Sequence, residues 1–160
     1  MSQQEIVTKI ALDNWVGQIA QTDKLLQSLS DDDLHTEIAP GRNRGIYLLG
    51  HLAAVHDRML PLLGFGEQRY PELNAPFLTS PDKAVADLPT VAELRSHWNE
   101  VNGVLEQKLR ALTPDEWFQQ HTSVSAEDFA KEPHRNRLNV VAGRTLHLAN
   151  HLGQLILLKK

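Results

Sequence analysis

Residues 136–158, NRLNVVAGRTLHLANHLGQLILL, are rich in leucine, valine and alanine and predict the last helix of the chain. Two histidines of this segment, His147 and His151, lie four residues apart. That spacing places both imidazoles on one helix face, one turn apart, where they can share a metal ion. Such pairs are common by chance, so the pair alone does not establish a metal site. A third ligand is expected from another helix.

Three segments upstream also carry apolar residues at helical spacing. They run from about Gln3 to Ser28, from Arg44 to Leu63 and from Thr90 to Leu112. Thr90 and Glu93 have the capping-box spacing that starts a helix, and Gly64 is placed to end the second helix after a possible kink at Pro61. No segment alternates with a period of two residues. We therefore predict an all-α protein, a single four-helix-bundle domain over residues 1–160.

The connection between the second and third predicted helices indicates their relative direction. Residues 64–89 contain four prolines and no convincing helix or strand. Helices of roughly 20 residues are about 30 Å long, and about 9 extended residues suffice to return along them. The long loop therefore predicts parallel second and third helices, an up-down-down-up order with the second and fourth antiparallel. A simple up-down bundle with a long decorated loop is the alternative.

The other connections are shorter and contain local helix signals. Residues 30–43 predict one helical turn near Asp31-Asp32-Asp33, and Pro40-Gly41 predicts a turn before the second helix. Thr113 and Glu116 form a second capping-box pattern, which predicts a short helix through Trp117 and Phe118 and a loop after it to Pro133.

Composition narrows the class of protein. The formal net charge is −4 and the acidic and basic residues are interspersed, so no basic stripe is available for nucleic acid. The chain has no cysteine, which excludes disulfides and thiolate ligands. The polar N-terminal residues do not resemble a signal peptide, and no apolar run reaches the roughly 20 residues that span a bilayer. The expected location is the cytoplasm.

The second helix offers two candidates for the third metal ligand. His51 and His56 are five residues apart, about 140° around a helix, so at most one faces the bundle axis. His51 lies at the edge of the apolar face, whereas His56, beside Asp57, is expected on the polar side. His51 also lies about seven residues after its helix start and His151 about seven before its helix end, so antiparallel helices bring them level. We predict a divalent metal, zinc or nickel, on His51, His147 and His151.

Several further residues have possible roles around this site. Gln154 shares the face of His147 and His151 and is expected to orient an imidazole or hold a metal-bound water. Arg58, seven residues after His51, is a candidate for an anionic substrate group. Gly143 and Gly153 suggest close helix approach or room beside the metal. His35, His97, His121 and His134 are interpreted as ordinary polar residues, and Trp15, Trp98 and Trp117 as core or end-cap residues.

The combination of Leu48-Leu49-Gly50-His51-Leu52 with His147-Leu-Ala-Asn-His151-Leu-Gly-Gln154 resembles the DinB-like superfamily. The resemblance covers essentially the whole chain. It implies an up-down-down-up bundle, a three-histidine zinc or nickel site and frequent homodimers. Some similar proteins transfer substrates to or from thiols such as mycothiol or bacillithiol. The family commonly has arginine after the last histidine, whereas this chain has Leu152, so only the metal role of the three histidines is carried over.

Two functions follow as expectations. The first is a metal-dependent enzyme acting on a small molecule, either a thiol-dependent S-transferase or a metal-assisted hydrolase, whose pocket is bordered by residues 30–43 and 75–90. The second is a non-enzymatic metal- or ligand-binding stress-response module. A plain helical dimerisation module is a third possibility, and it predicts histidines that tolerate substitution by glutamine.

Overall fold

The computed structural model describes residues 1–159, and these form an all-helical structure with two isolated β-bridges and no β-strand. The long helices are α1 (Gln3–Ser28), α3 (Gly45–Asp57), α5 (Val91–Ala111) and α8 (Arg137–Leu155), and the short ones are α2 (Asp31–Leu34), α4 (Met59–Leu62), α6 (Pro114–Trp117) and α7 (Ala126–Lys131). The all-α prediction is therefore confirmed.

The capping boxes predicted at Thr90 and Thr113 are both present, and Asn136 adds a cap that was not predicted. The Thr90 hydroxyl accepts from the backbone N–H of Glu93, whose carboxylate in turn accepts from the backbone N–H of Thr90. The Asn136 side chain accepts from the backbone N–H of Asn139 at the start of α8. Each contact satisfies amide groups that the first turn of a helix leaves without a partner. The local sequence thus determines where α5 and α8 begin.

The second predicted helix is interrupted, in agreement with the kink suggested at Pro61, so the segment from Arg44 to Leu63 forms two elements rather than one. It ends at Asp57, and the separate short helix α4 follows Arg58. Pro61 explains the break, because it has no N–H to bond the Asp57 carbonyl and its ring crowds that group. Gly64 has a φ of 74°, the left-handed conformation expected at its predicted C-cap position.

Two segments predicted as loop contain short helical elements. Within residues 64–89, Pro71–Leu73 forms a 3-10 turn and Ala75–Thr79 a turn of π-helix. Leu73 and Phe77 of these turns are fully buried, and their burial holds a segment that has no helical periodicity in its sequence. Residues after Phe118 form α7, whose first turn is capped by the Ser125 hydroxyl.

The four long helices surround one hydrophobic core. α3 packs against α5 and α8, and α1 packs against the same two helices. Trp15, Trp98 and Trp117 are buried, as predicted. In the described part of the chain, no helix is long and apolar enough to span a membrane. Two leucines lie at the surface, where Leu146 is 72% and Leu157 is 62% exposed. Their exposure does not test the predicted homodimer, which stays a prediction.

Gly143 and Gly153 do not have the roles suggested for them. Both lie on the exposed side of α8, and a Cβ added to either would meet nothing within 4 Å. Neither close helix approach nor room beside a metal therefore requires glycine here, and nothing in the structure explains these two residues.

His56 is fully buried, which corrects its expected place on the polar side of the helix. Its ring lies between Trp15 and Trp98, with centroid distances of 4.8 and 4.9 Å. The Asn102 amide donates to the Trp98 carbonyl, so its Oδ1 faces His56 Nδ1 at 2.7 Å and accepts from it. Every residue of α3 except Tyr47 and His51 is buried. Because α3 is covered on nearly all sides, His56 points into the core although it lies about 140° around the helix from His51.

Candidate metal centre

Three imidazoles from α3 and α8 converge on one point. The Nε2 atom of His147 lies 3.2 Å from Nε2 of His51 and 3.1 Å from Nε2 of His151. Ligand-capable nitrogens of all three side chains lie within 4.8 Å of one another. Within residues 1–159 no other group of three histidine or acidic side chains comes together in this way. The three residues predicted from spacing and helix face are therefore the ones that meet.

The nitrogen separations match those of histidines bound to a single divalent ion. Metal–imidazole bonds to zinc are about 2.0–2.1 Å long. At that length, two nitrogens 3.1–3.2 Å apart subtend an angle of about 100° at the metal. The angle lies between the octahedral value of about 90° and the tetrahedral value of about 109°. The separations of His147 from His51 and from His151 therefore suit ligands of one metal ion.

The second nitrogens of two histidines fix their tautomers. His51 Nδ1 lies 2.9 Å from the Phe77 carbonyl oxygen, and His151 Nδ1 lies 2.8 Å from Gln154 Oε1. A carbonyl oxygen only accepts, so each Nδ1 carries the proton and each Nε2 lone pair is directed at the cluster. Gln154 thus orients His151, the first of the two roles considered for it, by the kind of contact that commonly fixes metal-ligating histidines.

Partial burial favours the neutral forms of His147 and His151. Burial lowers the pKa of His147 to about 4, with smaller effects from the neighbouring histidines and Arg144. Burial also lowers the pKa of His151, partly offset by its bond to Gln154. His147 Nδ1 is buried with no hydrogen-bond partner. Neutral imidazole is the form that binds metal, so the lowered pKa values of His147 and His151 favour metal binding at neutral pH.

The Phe77 carbonyl is held in place by packing against α3. The Phe77 ring is fully buried, and a Cβ added to Gly50 would fall inside 3 Å of it. Tyr47 contacts the same ring and donates to the Ser80 carbonyl at 2.7 Å. Gly50, directly before His51, therefore allows the 75–79 turn to approach close enough for its backbone to orient the histidine.

Gly50→Ala is expected to lower stability by about 1–3 kcal/mol, because the added methyl overpacks a buried ring. Displacing Phe77 also releases His51 Nδ1, so metal affinity is expected to fall roughly 10- to 100-fold. Calorimetric titration and chemical denaturation measure the two effects. Gly143→Ala is the matched control and should stabilise α8 by up to about 1 kcal/mol. Unchanged metal affinity in Gly50→Ala would contradict the role of the Phe77 contact.

A pocket of about 610 Å³ opens beside His51 and His147. The mouth predicted from residues 30–43 and 75–90 is mostly wrong, because only Leu78 of those ranges lines it. The remaining lining comes from four parts of the chain: α3, the segment 58–68, residues 122–123 and α8. These residues are Val55, Arg58, Pro61, Leu62, Gln68, Thr122, Ser123 and Arg144. The difference arises because Thr122, whose hydroxyl donates to the Pro61 carbonyl at 3.0 Å, brings residues 122–123 next to α4 at this end of the site.

Arg58, the candidate for binding an anionic substrate group, lines this pocket, and Arg144 joins it from α8. Arg144 was missed in the sequence, although it lies three residues before His147 and thus on nearly the same helix face. His97 stacks on Tyr70 with a centroid distance of 3.8 Å, and His35, His121 and His134 also lie outside the cluster. Their exclusion as ligands agrees with the geometry.

The fold and site together define an all-helical protein with a three-histidine cluster open to a pocket. The family model of the DinB superfamily matches residues 15–155. The chain therefore belongs to the DinB superfamily. No curated protein matches the sequence.

Proposed function

We propose that this chain is a divalent-metal-dependent enzyme acting on a small molecule, with zinc or nickel held by His51, His147 and His151. The observation that carries the proposal is the convergence of three Nε2 atoms at the wall of a pocket of about 610 Å³. Three protein ligands leave coordination positions free for substrate, as in catalytic rather than structural sites.

The up-down-down-up order of the bundle is part of this proposal, because it brings α3 and α8 level at the histidines. Three contacts between residues at corresponding positions along neighbouring helices support this order. Late α1 meets early α5, where Trp98 Nε1 donates to Asp23 at 2.7 Å. His56 and Asn102, each about twelve residues into its helix, bond between α3 and α5 and favour a parallel pair. Gly45 at the start of α3 approaches Leu158 beyond the end of α8, which favours an antiparallel pair.

The pocket favours thiol transfer over hydrolysis as the reaction. A divalent ion bound here would supply Lewis acidity, lowering the pKa of a coordinated thiol or water. Metal-assisted hydrolysis commonly also uses a carboxylate as general base, and within the described residues no aspartate or glutamate lines the pocket. A thiol coordinated to such an ion is deprotonated outright, whereas coordinated water keeps a pKa of about 7–9, so the thiol has less need of a base. The chain's own residues then orient the ligands, through Gln154 and Phe77, and enclose the substrate.

The test uses protein loaded separately with zinc and nickel and a panel of low-molecular-weight thiols with a fluorogenic electrophile, beside an ester-hydrolysis panel. Thiol conjugation is expected, with a loss of roughly a hundredfold or more in His51→Ala. His134→Ala, which removes an exposed histidine outside the cluster, is the matched control. Full activity in metal-free His51→Ala would refute the proposal. Metal-dependent stability without turnover of any thiol or ester would instead favour the non-enzymatic binding module.

A further inference from the structure

Two arginines in the metal-site pocket have no partner of their own. Six of the chain's nine arginines make side-chain hydrogen bonds or ion pairs with carboxylates or backbone carbonyls: Arg44, Arg69, Arg95, Arg110, Arg135 and Arg137. Within residues 1–159, Arg42, Arg58 and Arg144 make none. Arg42 lies exposed in the turn before α3, whereas Arg58 and Arg144 line one pocket.

The charge of Arg144 is partly buried and has no counter-charge from the described part of the protein. Burial and the charge of Arg58 both lower the pKa of Arg144. Within the described residues, no acidic side chain lines the pocket. The positive pocket stands out in a chain whose formal net charge is −4. Arg58 adds a second positive charge to the same pocket, so an anion that enters it is attracted by both arginines.

The position of the arginines relative to the histidines defines where that anion lies. Arg144 precedes His147 by three residues on α8, about 4.5 Å along the helix, and Arg58 follows His51 by seven on the other wall. Apolar side chains, Val55, Leu62 and Leu78, line the same pocket. A ligand spanning the pocket would thus present a polar atom to the histidines and an anionic group to the arginines.

We propose that Arg58 and Arg144 form an oxyanion-binding subsite, so that the substrate of the proposed enzyme carries a carboxylate or phosphate group one to two helical turns from its reacting atom. Guanidinium groups bind both anions through paired N–H donors. The subsite deepens the proposed function by naming its substrate class, but its anion binding does not depend on metal or turnover.

Anion binding is tested on chelator-treated protein by following the arginine Nε–H signals in NMR titrations with glutarate and with inorganic phosphate. Saturable shifts are expected, with dissociation constants weakened roughly tenfold or more in Arg58→Gln and in Arg144→Gln. Arg42→Gln, the matched unpaired arginine outside the pocket, should change them by less than about twofold. The anion that binds more tightly identifies whether the substrate group is a carboxylate or a phosphate. Arg58 is exposed, so its substitution keeps the test valid if Arg144→Gln fails to fold.

Absence of saturable binding of both anions would overturn the subsite, as would equal weakening in Arg42→Gln. Metal content measured on untreated samples separates the two proposals. Normal metal binding without anion binding refutes the subsite alone, and anion binding by a protein that takes up no metal refutes the metal enzyme alone.

Discussion

His147→Ala is expected to abolish stoichiometric metal binding. Its Nε2 atom lies 3.1–3.2 Å from those of both His51 and His151, so it is the ligand shared by both close pairs. Structural zinc sites bind with about 10–16 kcal/mol over four ligands. Losing one ligand therefore weakens affinity on the order of a hundredfold to a thousandfold. Elemental analysis of protein purified with one equivalent of zinc or nickel measures the loss.

The same variant should lose the link between metal and stability. A ligand present at 1,000 times its Kd stabilises the folded state by about 4 kcal/mol, so a chelator should lower the Tm of the wild type and leave that of His147→Ala unchanged. His134→Ala should behave as the wild type, and Gln154→Ala should keep a metal of reduced affinity, because it removes only the partner of His151 Nδ1. Equal metal content in His147→Ala and the wild type would exclude this cluster as the site.

The metal ligands could be predicted from the sequence because their signals are local or periodic. His147 and His151 share a helix face through their spacing, and His51 lies at the edge of an apolar face. The contacts that orient these histidines differ in whether the sequence could have predicted them. Gln154 is three residues from its partner on the same helix and was foreseeable. The Phe77 carbonyl was not, because it comes from a loop 26 residues away that is held by burial of its own apolar side chains.

The error at His56 has a non-local cause. Asp57 beside it indicated a polar face, yet Asp57 is itself fully buried. Its carboxylate accepts from the backbone N–H groups of Arg69 and Tyr70, each at 2.8 Å, in the loop that crosses the end of α3. Such bonds compensate the burial of a charge, but they depend on where the loop folds. The polarity of one residue therefore did not reveal the environment of its neighbour.

Burial of His56 is expected to make the fold sensitive to acid. Burial lowers its pKa to about 3, against about 6.5 in the unfolded chain. Between these values only the unfolded state takes up the proton. The stabilising effect is therefore present above about pH 6.5 and is lost as the pH falls towards 3, by up to about 1.4 kcal/mol per pH unit. At pH 5 the free energy of unfolding should be about 2 kcal/mol below its value at pH 7.5 from this residue alone.

His56→Gln isolates this contribution, because glutamine can still donate to Asn102 Oδ1 but does not titrate. The variant should be less stable than the wild type at pH 7.5, since it loses ring packing against Trp15 and Trp98. Its deficit in the free energy of unfolding should shrink by about 2 kcal/mol on going to pH 5.

Urea unfolding of chelator-treated proteins at both pH values measures the difference. Any contribution of His147 and His151 then cancels between wild type and variant. His134→Gln, at an exposed position, should keep the full pH dependence. If the free energies of wild type and His56→Gln fall in parallel between pH 7.5 and 5, the buried imidazole does not set the acid limit of this fold.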